Sequence, residues 1–145
     1  GLPERDRLAQ RLARPTPRVA LGQALRGIAH ACIDVSDGLT ADLAHICVAS
    51  ELAAVIDPLL LPASRALTTL VPDPGRRLQL QLGGDDYELC FTIAPEREPQ
   101  LISVAAEQHL PLTRIGTLGP GSGVYLLGAD GRLTLCAPSG YQHFA

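Results

Sequence analysis

The sequence contains no Trp and no Met, and aromatic residues make up only 3% of its 145 residues. Because hydrophobic residues still account for 46% of the chain, the core must be aliphatic, and the composition argues against intrinsic disorder. No apolar run approaches the roughly 18 residues that a membrane-spanning helix needs, so the sequence excludes such a helix. The chain is therefore expected to fold around Leu, Ala, Val and Ile.

Charge and cysteine are also too sparse to define some common classes of protein. The formal net charge is only −3, with no cluster of basic residues, which argues against nucleic acid as a partner. The four cysteines are far apart and form no C-x-x-C pair, and the four histidines are isolated from one another, so neither a zinc site nor a disulfide framework is predicted. We expect reduced, mostly buried thiols in a cytoplasmic protein.

Pro15 and Pro17 divide the chain near its start. Residues 4–13 have helical spacing, and the two prolines then end the helix. The sequence has no starting Met, and we expect residues 1–14 to be the last helix of a missing N-terminal domain and residues 15–145 to form the compact domain.

Helical and strand patterns alternate over that compact domain. Helices are predicted over residues 19–31, 39–49, 62–70 and 95–108, and strands over 32–35, 53–56, 87–93, 113–118, 124–127 and 133–136. Residues 76–82 favour a helix, with a strand as the alternative. The turn at Asp130-Gly131 predicts a hairpin between the last two strands. The pattern predicts a layered α/β (α+β) domain with a mixed β-sheet covered by helices.

The most informative segment runs over residues 33–43, where a strand, a tight turn and a helix follow one another. A turn at Ser36 can bring the carboxylates of Asp34 and Asp37 together, and paired carboxylates suit Mg²⁺. The N–H groups at the start of the helix, with the Ser36 hydroxyl, could then hold a phosphate that the metal bridges. The alternative is that Ser36 or Asp37 only caps the helix, although a cap would not explain Asp34.

Two further segments carry unusual chemistry. Gly83 to Glu88 places paired glycines before three acids and a Tyr, which could bind a cation, or could be a solvated loop before an edge strand. At the C-terminus, Tyr141 and Phe144 could stack on a flat cationic ring, or could only fasten the end of the chain to the core.

Together these segments resemble the C-terminal domain of the thiamine-monophosphate kinases, within the aminoimidazole-ribonucleotide-synthetase-like superfamily. The resemblance covers nearly the whole chain from about residue 14. Its main motifs, in order, are Asp34-Val35-Ser36-Asp37-Gly38-Leu39, Gly83-Gly84-Asp85-Asp86-Tyr87-Glu88 and Gly140-Tyr141-Gln142-His143-Phe144. The first motif occurs across the superfamily, whereas the other two are specific to the thiamine-phosphate branch.

The resemblance implies transfer of a phosphoryl group from ATP to thiamine monophosphate, giving thiamine diphosphate, with Mg²⁺ aligning the phosphates in line. It implies that Asp34 and Asp37 are metal ligands, that Ser36 contacts an ATP phosphate, and that Asp85 and Tyr141 contact the substrate. No residue of this chain is expected to act as a general base. The family acts as a homodimer with an N-terminal domain that builds most of the ATP site, so the fragment alone is expected to be inactive.

Some residues depart from the family pattern. Asp85 stands where the family has Glu, Gln142 stands where it has Asp, and the segment 50–54 lacks the usual glycines. These changes leave the substrate preference open. The alternatives are a related synthetase of the same superfamily and a non-catalytic module that binds metal or phosphate.

Overall fold

The computed structural model describes residues 2–84 and 86–137. The helices are α1 (Leu2–Ala13), α2 (Val19–Ala24), α3 (Leu39–Ser50), α4 (Arg65–Leu70), α5 (Pro74–Gly83) and α6 (Glu98–Gln108). The strands are β1 (Ala31–Asp34), β2 (Leu52–Ile56), β3 (Leu89–Thr92), β4 (Gly116–Pro120), β5 (Gly123–Leu127) and β6 (Leu133–Leu135). None of the helices in the described part is long and apolar enough to cross a membrane.

The strands form two sheets. The larger sheet has the order β4-β2-β5-β6, in which β2 runs antiparallel to β4 but parallel to β5. The smaller sheet is the antiparallel pair of β1 and β3. Helices and a mixed sheet in one domain confirm the predicted layered α/β class.

The main core lies between α3 and the larger sheet. Leu43, Ile46 and Cys47 of α3 share one buried cluster with Ala54 and Ile56 of β2, and Val124 of β5 also belongs to this cluster. A smaller cluster contains Leu21 of α2, Leu25 directly after this helix, and Val104 of α6. The buried core residues are aliphatic or cysteine, as the composition predicts.

Residues 76–82, for which the sequence allowed a helix or a strand, are helical. Asp73 precedes α5, and its carboxylate accepts the N–H of Arg76 at 2.6 Å, while Pro74 occupies the first turn. Both features are typical of a helix start. The predicted hairpin is also present, since β5 and β6 pair in antiparallel fashion around Gly131.

Several predicted elements are longer than the observed ones, and α2, α4 and β3 show why. α2 ends at Ala24, and Gly27 then takes a left-handed φ of 75°. α4 begins only at Arg65, where the Ser64 hydroxyl accepts the N–H of Leu67. β3 begins at Leu89, because Tyr87 takes a φ of 52° that a strand cannot contain.

Candidate metal and phosphate site

The strand β1 delivers Asp34 to the start of the turn that precedes α3. Asp34 is the last residue of β1, is exposed, and lies opposite Leu89 of β3. Alternation along the strand turns Ile33 inward and places Cys32 and Asp34 on the exposed face. Ser36 and Asp37 follow in the turn and are half-buried. Neither Asp34 nor Asp37 is sealed in the apolar interior.

A third acid, the buried Asp42, accepts hydrogen bonds from the backbone of the turn. It lies in the first turn of α3 with only 3% of its surface exposed. One carboxylate oxygen accepts the N–H of Ser36 at 3.0 Å and the N–H of Asp37 at 3.1 Å. The carboxylate therefore closes the turn back onto the helix. Among the described residues, every buried side-chain oxygen and nitrogen has a hydrogen-bond partner.

This arrangement corrects one expectation about the turn and narrows another. The residue that caps α3 is Gly38, which has no side chain, so neither Ser36 nor Asp37 caps the helix and that alternative is wrong. The N–H groups of Ser36 and Asp37 donate to Asp42, so the N–H groups that remain as phosphate donors are those at the start of α3, and their role stays a prediction. At Ser36 the side-chain hydroxyl is the group left to contact a phosphate.

Sequence reasoning assigned no role to Asp42. A signal was present, because Leu39, Asp42, Leu43 and Ile46 share one face of α3 and all four are buried. An acid on an otherwise apolar stripe indicates a buried carboxylate with specific donors.

Gly38 brings the second motif against the first. Its φ is 116°, and a Cβ at this position would lie 3.0 Å from the Cα of Gly83 and 3.2 Å from the carbonyl oxygen of Leu82. The Thr40 hydroxyl reaches the same Leu82 carbonyl at 3.5 Å. The end of α5 therefore packs directly on the turn, backbone against backbone.

Tyr87 and Glu88 lie against the residue that precedes the same turn. The N–H of Val35 donates to the carbonyl of Glu88 and the N–H of Tyr87 donates to the carbonyl of Val35, each at 2.8 Å. These bonds extend the pairing of β1 and β3 toward the turn. The segment Gly83–Glu88, which we call the acidic segment, is thus held to the first motif at both of its ends.

Two arginines hold the far end of the acidic segment. The Arg18 guanidinium forms a bidentate pair with the Glu88 carboxylate, through Nε–Oε2 at 2.8 Å and Nη2–Oε1 at 2.7 Å. Arg11 of α1 donates to the same carboxylate and to the backbone carbonyl of Asp86. The hydrogen bond to Glu88 raises the pKa of Arg18 further above its ordinary value, so the guanidinium stays charged at every physiological pH.

The four cysteines differ in burial. Cys90 of β3 is buried, and burial, together with the nearby Cys32, Asp42 and Cys47, raises its pKa to about 11. Cys47 is also buried, Cys136 is half-buried and Cys32 is exposed, and all four are free thiols. The expectation of reduced thiols fits this arrangement, but Cys32 departs from the expected burial because strand alternation turns it outward.

The described residues contain part of the predicted site. Asp34 ends β1, and Ser36 and Asp37 lie in the turn that follows it, whereas Asp85 and Tyr141 fall outside the described residues. Over residues 2–84 and 86–137, no group of three or more His, Cys, Asp or Glu side chains could hold a metal ion. Two accessible carboxylates nevertheless fit Mg²⁺, which takes oxygen ligands and keeps several waters and substrate oxygens.

This fold and these motifs define a family. The family model for the C-terminal domain of AIR synthase related proteins matches residues 4–128, and the chain belongs to this family. The thiamine-monophosphate kinase of Haemophilus influenzae is 42% identical over 141 residues, which is 94% of this chain and 43% of that protein. The resemblance to the thiamine-monophosphate kinases is therefore confirmed.

Solved structures agree with this assignment. The crystal structure of thiamine-monophosphate kinase from Stenotrophomonas maltophilia K279a superposes with a TM-score of 0.84 at 47% identity, over 92% of this chain and 41% of that one. A complex described as AaThiL with AMPPCP and TMP superposes with a TM-score of 0.80 at 32% identity, over 98% of this chain and 42% of that one. The chain thus spans about two fifths of the length of the relatives it matches.

Proposed function

We propose that the chain is the C-terminal domain of an ATP-dependent thiamine-monophosphate kinase, which converts thiamine monophosphate and ATP to thiamine diphosphate and ADP. The names of its relatives support the substrate, and the AMPPCP and TMP held by one of them are consistent with both co-substrates. The observation that carries the proposal is the contact of Gly38 with Gly83, because it places the turn with Asp34 and Asp37 beside the acidic segment.

In the proposed site each group has one task. Asp34 and Asp37 would hold Mg²⁺, which when bound neutralises phosphate charge during in-line transfer. The Ser36 hydroxyl would donate to an ATP phosphate. Asp42 keeps the turn in shape by occupying two of its N–H groups. The attacking substrate phosphate is already ionised, so the chain needs no general base, and catalysis rests on alignment and charge.

The substrate would lie toward the acidic segment. Asp85 and Tyr141 are the proposed contacts, the first to the cationic part of thiamine monophosphate and the second to the face of its ring. Their roles rest on the resemblance of their motifs.

We further propose that an N-terminal domain supplies the rest of the ATP site. The two acids of this turn are fewer than a complete set of ligands for phosphate-bound metal ions, and the relatives are more than twice as long as this chain. The 145 residues alone would then be inactive. A homodimeric parent protein and a cytoplasmic location remain predictions from the sequence.

The test is turnover by the full-length protein with ATP, Mg²⁺ and thiamine monophosphate, in the wild type and in Asp37→Asn. We expect the wild type to form thiamine diphosphate and Asp37→Asn to lose turnover by a factor of about 10³ or more while its circular dichroism spectrum is unchanged. Asp130→Asn, at the exposed β5–β6 hairpin, is the matched control and should retain wild-type turnover.

Other results would separate the alternatives. A wild type that binds thiamine monophosphate in calorimetry without turning it over would indicate a non-catalytic module. Near-normal kinetics in Asp37→Asn would remove the metal role of Asp37. Thiamine diphosphate formed by the 145-residue chain alone would contradict the proposed need for an N-terminal domain.

A further inference from the structure

Two separate devices hold the two motifs of the candidate site. Asp42 fixes the turn by accepting the N–H groups of Ser36 and Asp37. Arg11 and Arg18 fix the acidic segment by binding Glu88. Because no side chain is common to the two devices, one can be weakened by mutation while the other stays intact.

The arginine device joins two neighbouring positions near the start of the chain to Glu88, which lies 70 residues after Arg18 and 77 after Arg11. Arg11 lies near the end of α1, Arg18 directly precedes α2, and Glu88 directly precedes β3. Arg18 is the better placed of the two arginines, since its side chain is only 17% exposed and its pair is bidentate. Charged pairs of this geometry, shared among several groups, hold their partners more firmly than single exposed ion pairs do.

The backbone next to Glu88 needs such a restraint. Tyr87 has a left-handed φ of 52°, which is unfavourable for a bulky residue, and it is 43% exposed, so packing does little to hold it. The backbone of Glu88 is bound to Val35, and its side chain is bound to the arginines. Arg11 also donates to the carbonyl of Asp86 on the other side of Tyr87. The strained residue is therefore restrained from both of its neighbours.

We infer that Arg11 and Arg18 are positioning residues, which hold the acidic segment through Glu88 and thereby set the affinity of the site for thiamine monophosphate. The inference rests on the proposed function, because that function places the substrate contact Asp85 within this segment. It goes beyond that function by assigning substrate affinity to residues of α1 and of the link to α2. ATP affinity should be independent of the arginines, since Ser36 is held by Asp42.

The experiment compares kinetics of the full-length protein in four variants. Arg18→Met removes the bidentate pair, and Glu88→Gln keeps the shape of the carboxylate without its charge. Arg18→Lys keeps the positive charge of the arginine but lacks its planar guanidinium. Arg114→Met removes the exposed ion pair with Glu98 and is the matched control. A circular dichroism spectrum of each variant checks the fold, and Glu88→Gln keeps the test open if Arg18→Met fails to fold.

We expect Arg18→Met and Glu88→Gln to raise the KM for thiamine monophosphate by about tenfold, with kcat and the KM for ATP within about twofold of wild type. Arg18→Lys should give an intermediate KM, and Arg114→Met should match the wild type. Hydrogen exchange at the Tyr87 amide should speed up in Arg18→Met and Glu88→Gln, while exchange at the Ser36 and Asp37 amides stays unchanged.

Failure of the inference differs from failure of the proposed function. An active wild type whose KM for thiamine monophosphate is unchanged in Arg18→Met and Glu88→Gln would overturn the inference and leave the kinase assignment standing. A wild type without turnover would overturn the kinase assignment and, with it, the role in substrate affinity. Unchanged exchange at Tyr87 in the folded variants would overturn the positioning role in either case.

Discussion

The carboxylate of Asp42 accepts the backbone N–H of Asp37 at 3.1 Å, so a buried acid holds one of the two acids proposed to bind metal. The same oxygen accepts the N–H of Ser36. The shape of the turn thus depends on a residue in the first turn of the helix that follows it. The negative charge of Asp42 also lies at the positive end of α3, where it is favourable.

Removal of the Asp42 carboxylate should destabilise the domain. In Asp42→Ala the N–H groups of Ser36 and Asp37 lose their acceptor, so the free energy of unfolding should fall by about 1–3 kcal/mol. Asp42→Asn keeps a carbonyl oxygen as acceptor, so its free energy of unfolding should fall less. Urea unfolding followed by circular dichroism measures the free energy of unfolding of both variants. Asp130→Ala, which removes an exposed acceptor for the Arg132 N–H, should change the stability by no more than about 0.5 kcal/mol. Equal losses in Asp42→Ala and Asp130→Ala would contradict the role of Asp42.

Gly38→Ala should separate backbone strain from steric contact. Gly38 and Gly27 both have positive φ, 116° and 75°, but a Cβ on Gly27 would meet no atom within 4 Å, whereas one on Gly38 would meet Gly83. Gly27→Ala should cost about 1 kcal/mol from strain alone, and Gly38→Ala should cost about 1–3 kcal/mol more, because α5 must move. Urea unfolding of both variants gives this difference, and a smaller loss in Gly38→Ala than in Gly27→Ala would contradict the close packing.

Stability should fall in alkaline solution because of Cys90. The pKa of Cys90 is raised from 9.0 to about 11 in the folded protein, so the folded state keeps the thiol protonated where the unfolded state has lost its proton. The stabilising contribution is therefore complete below pH 9 and is lost as the pH rises through 11. Unfolding free energies measured from pH 8 to pH 11 should decrease, and the decrease should be smaller in Cys90→Ala. An identical pH dependence in Cys90→Ala would contradict the burial of this thiol.

The four thiols should react in an order set by their exposure. Cys32 is exposed, Cys136 is half-buried, and Cys47 and Cys90 are buried, so a thiol reagent at pH 8 should modify Cys32 first and Cys47 and Cys90 last. Mass spectrometry of peptides from samples taken over time gives the order. In 8 M urea the differences should shrink to the small spread expected of unfolded peptides. Early modification of Cys47 in the folded protein would contradict the packing of α3 on β2.

Local patterns in the sequence account for most of the elements. Residues 31–34 and 39–50 form the predicted strand and helix, because alternation, the Gly38 turn and the apolar stripe of α3 all act within a few residues. The ends of α2, α4 and β3 were predicted less well. At these ends a single residue, such as Tyr87 with its positive φ, interrupts a pattern that otherwise continues.

Contacts that depend on the three-dimensional path of the chain explain what the sequence did not predict about the site. Asp34, Ser36 and Asp37 could be proposed as site residues because one short segment carries them all, and their roles stay predictions. Arg18 and Glu88 meet only after α2 and β3 have folded together, and no local pattern links an arginine after two prolines to an acid before a strand. The bonds from Ser36 and Asp37 to Asp42 depend on the three-dimensional path of the turn, which spacing alone does not give.

The parallel pairing of β2 with β5 has a consequence for how the domain assembles. Ala53 pairs with Gly123, so almost half of the chain must be synthesised between the two central strands before they can meet. Contacts that close such long loops are slow to form. A nascent chain released before β5 emerges would leave the edge of β2 open to pairing with another molecule. Expression at low temperature or with chaperones should therefore raise the yield of correctly folded protein more than changes at the surface would.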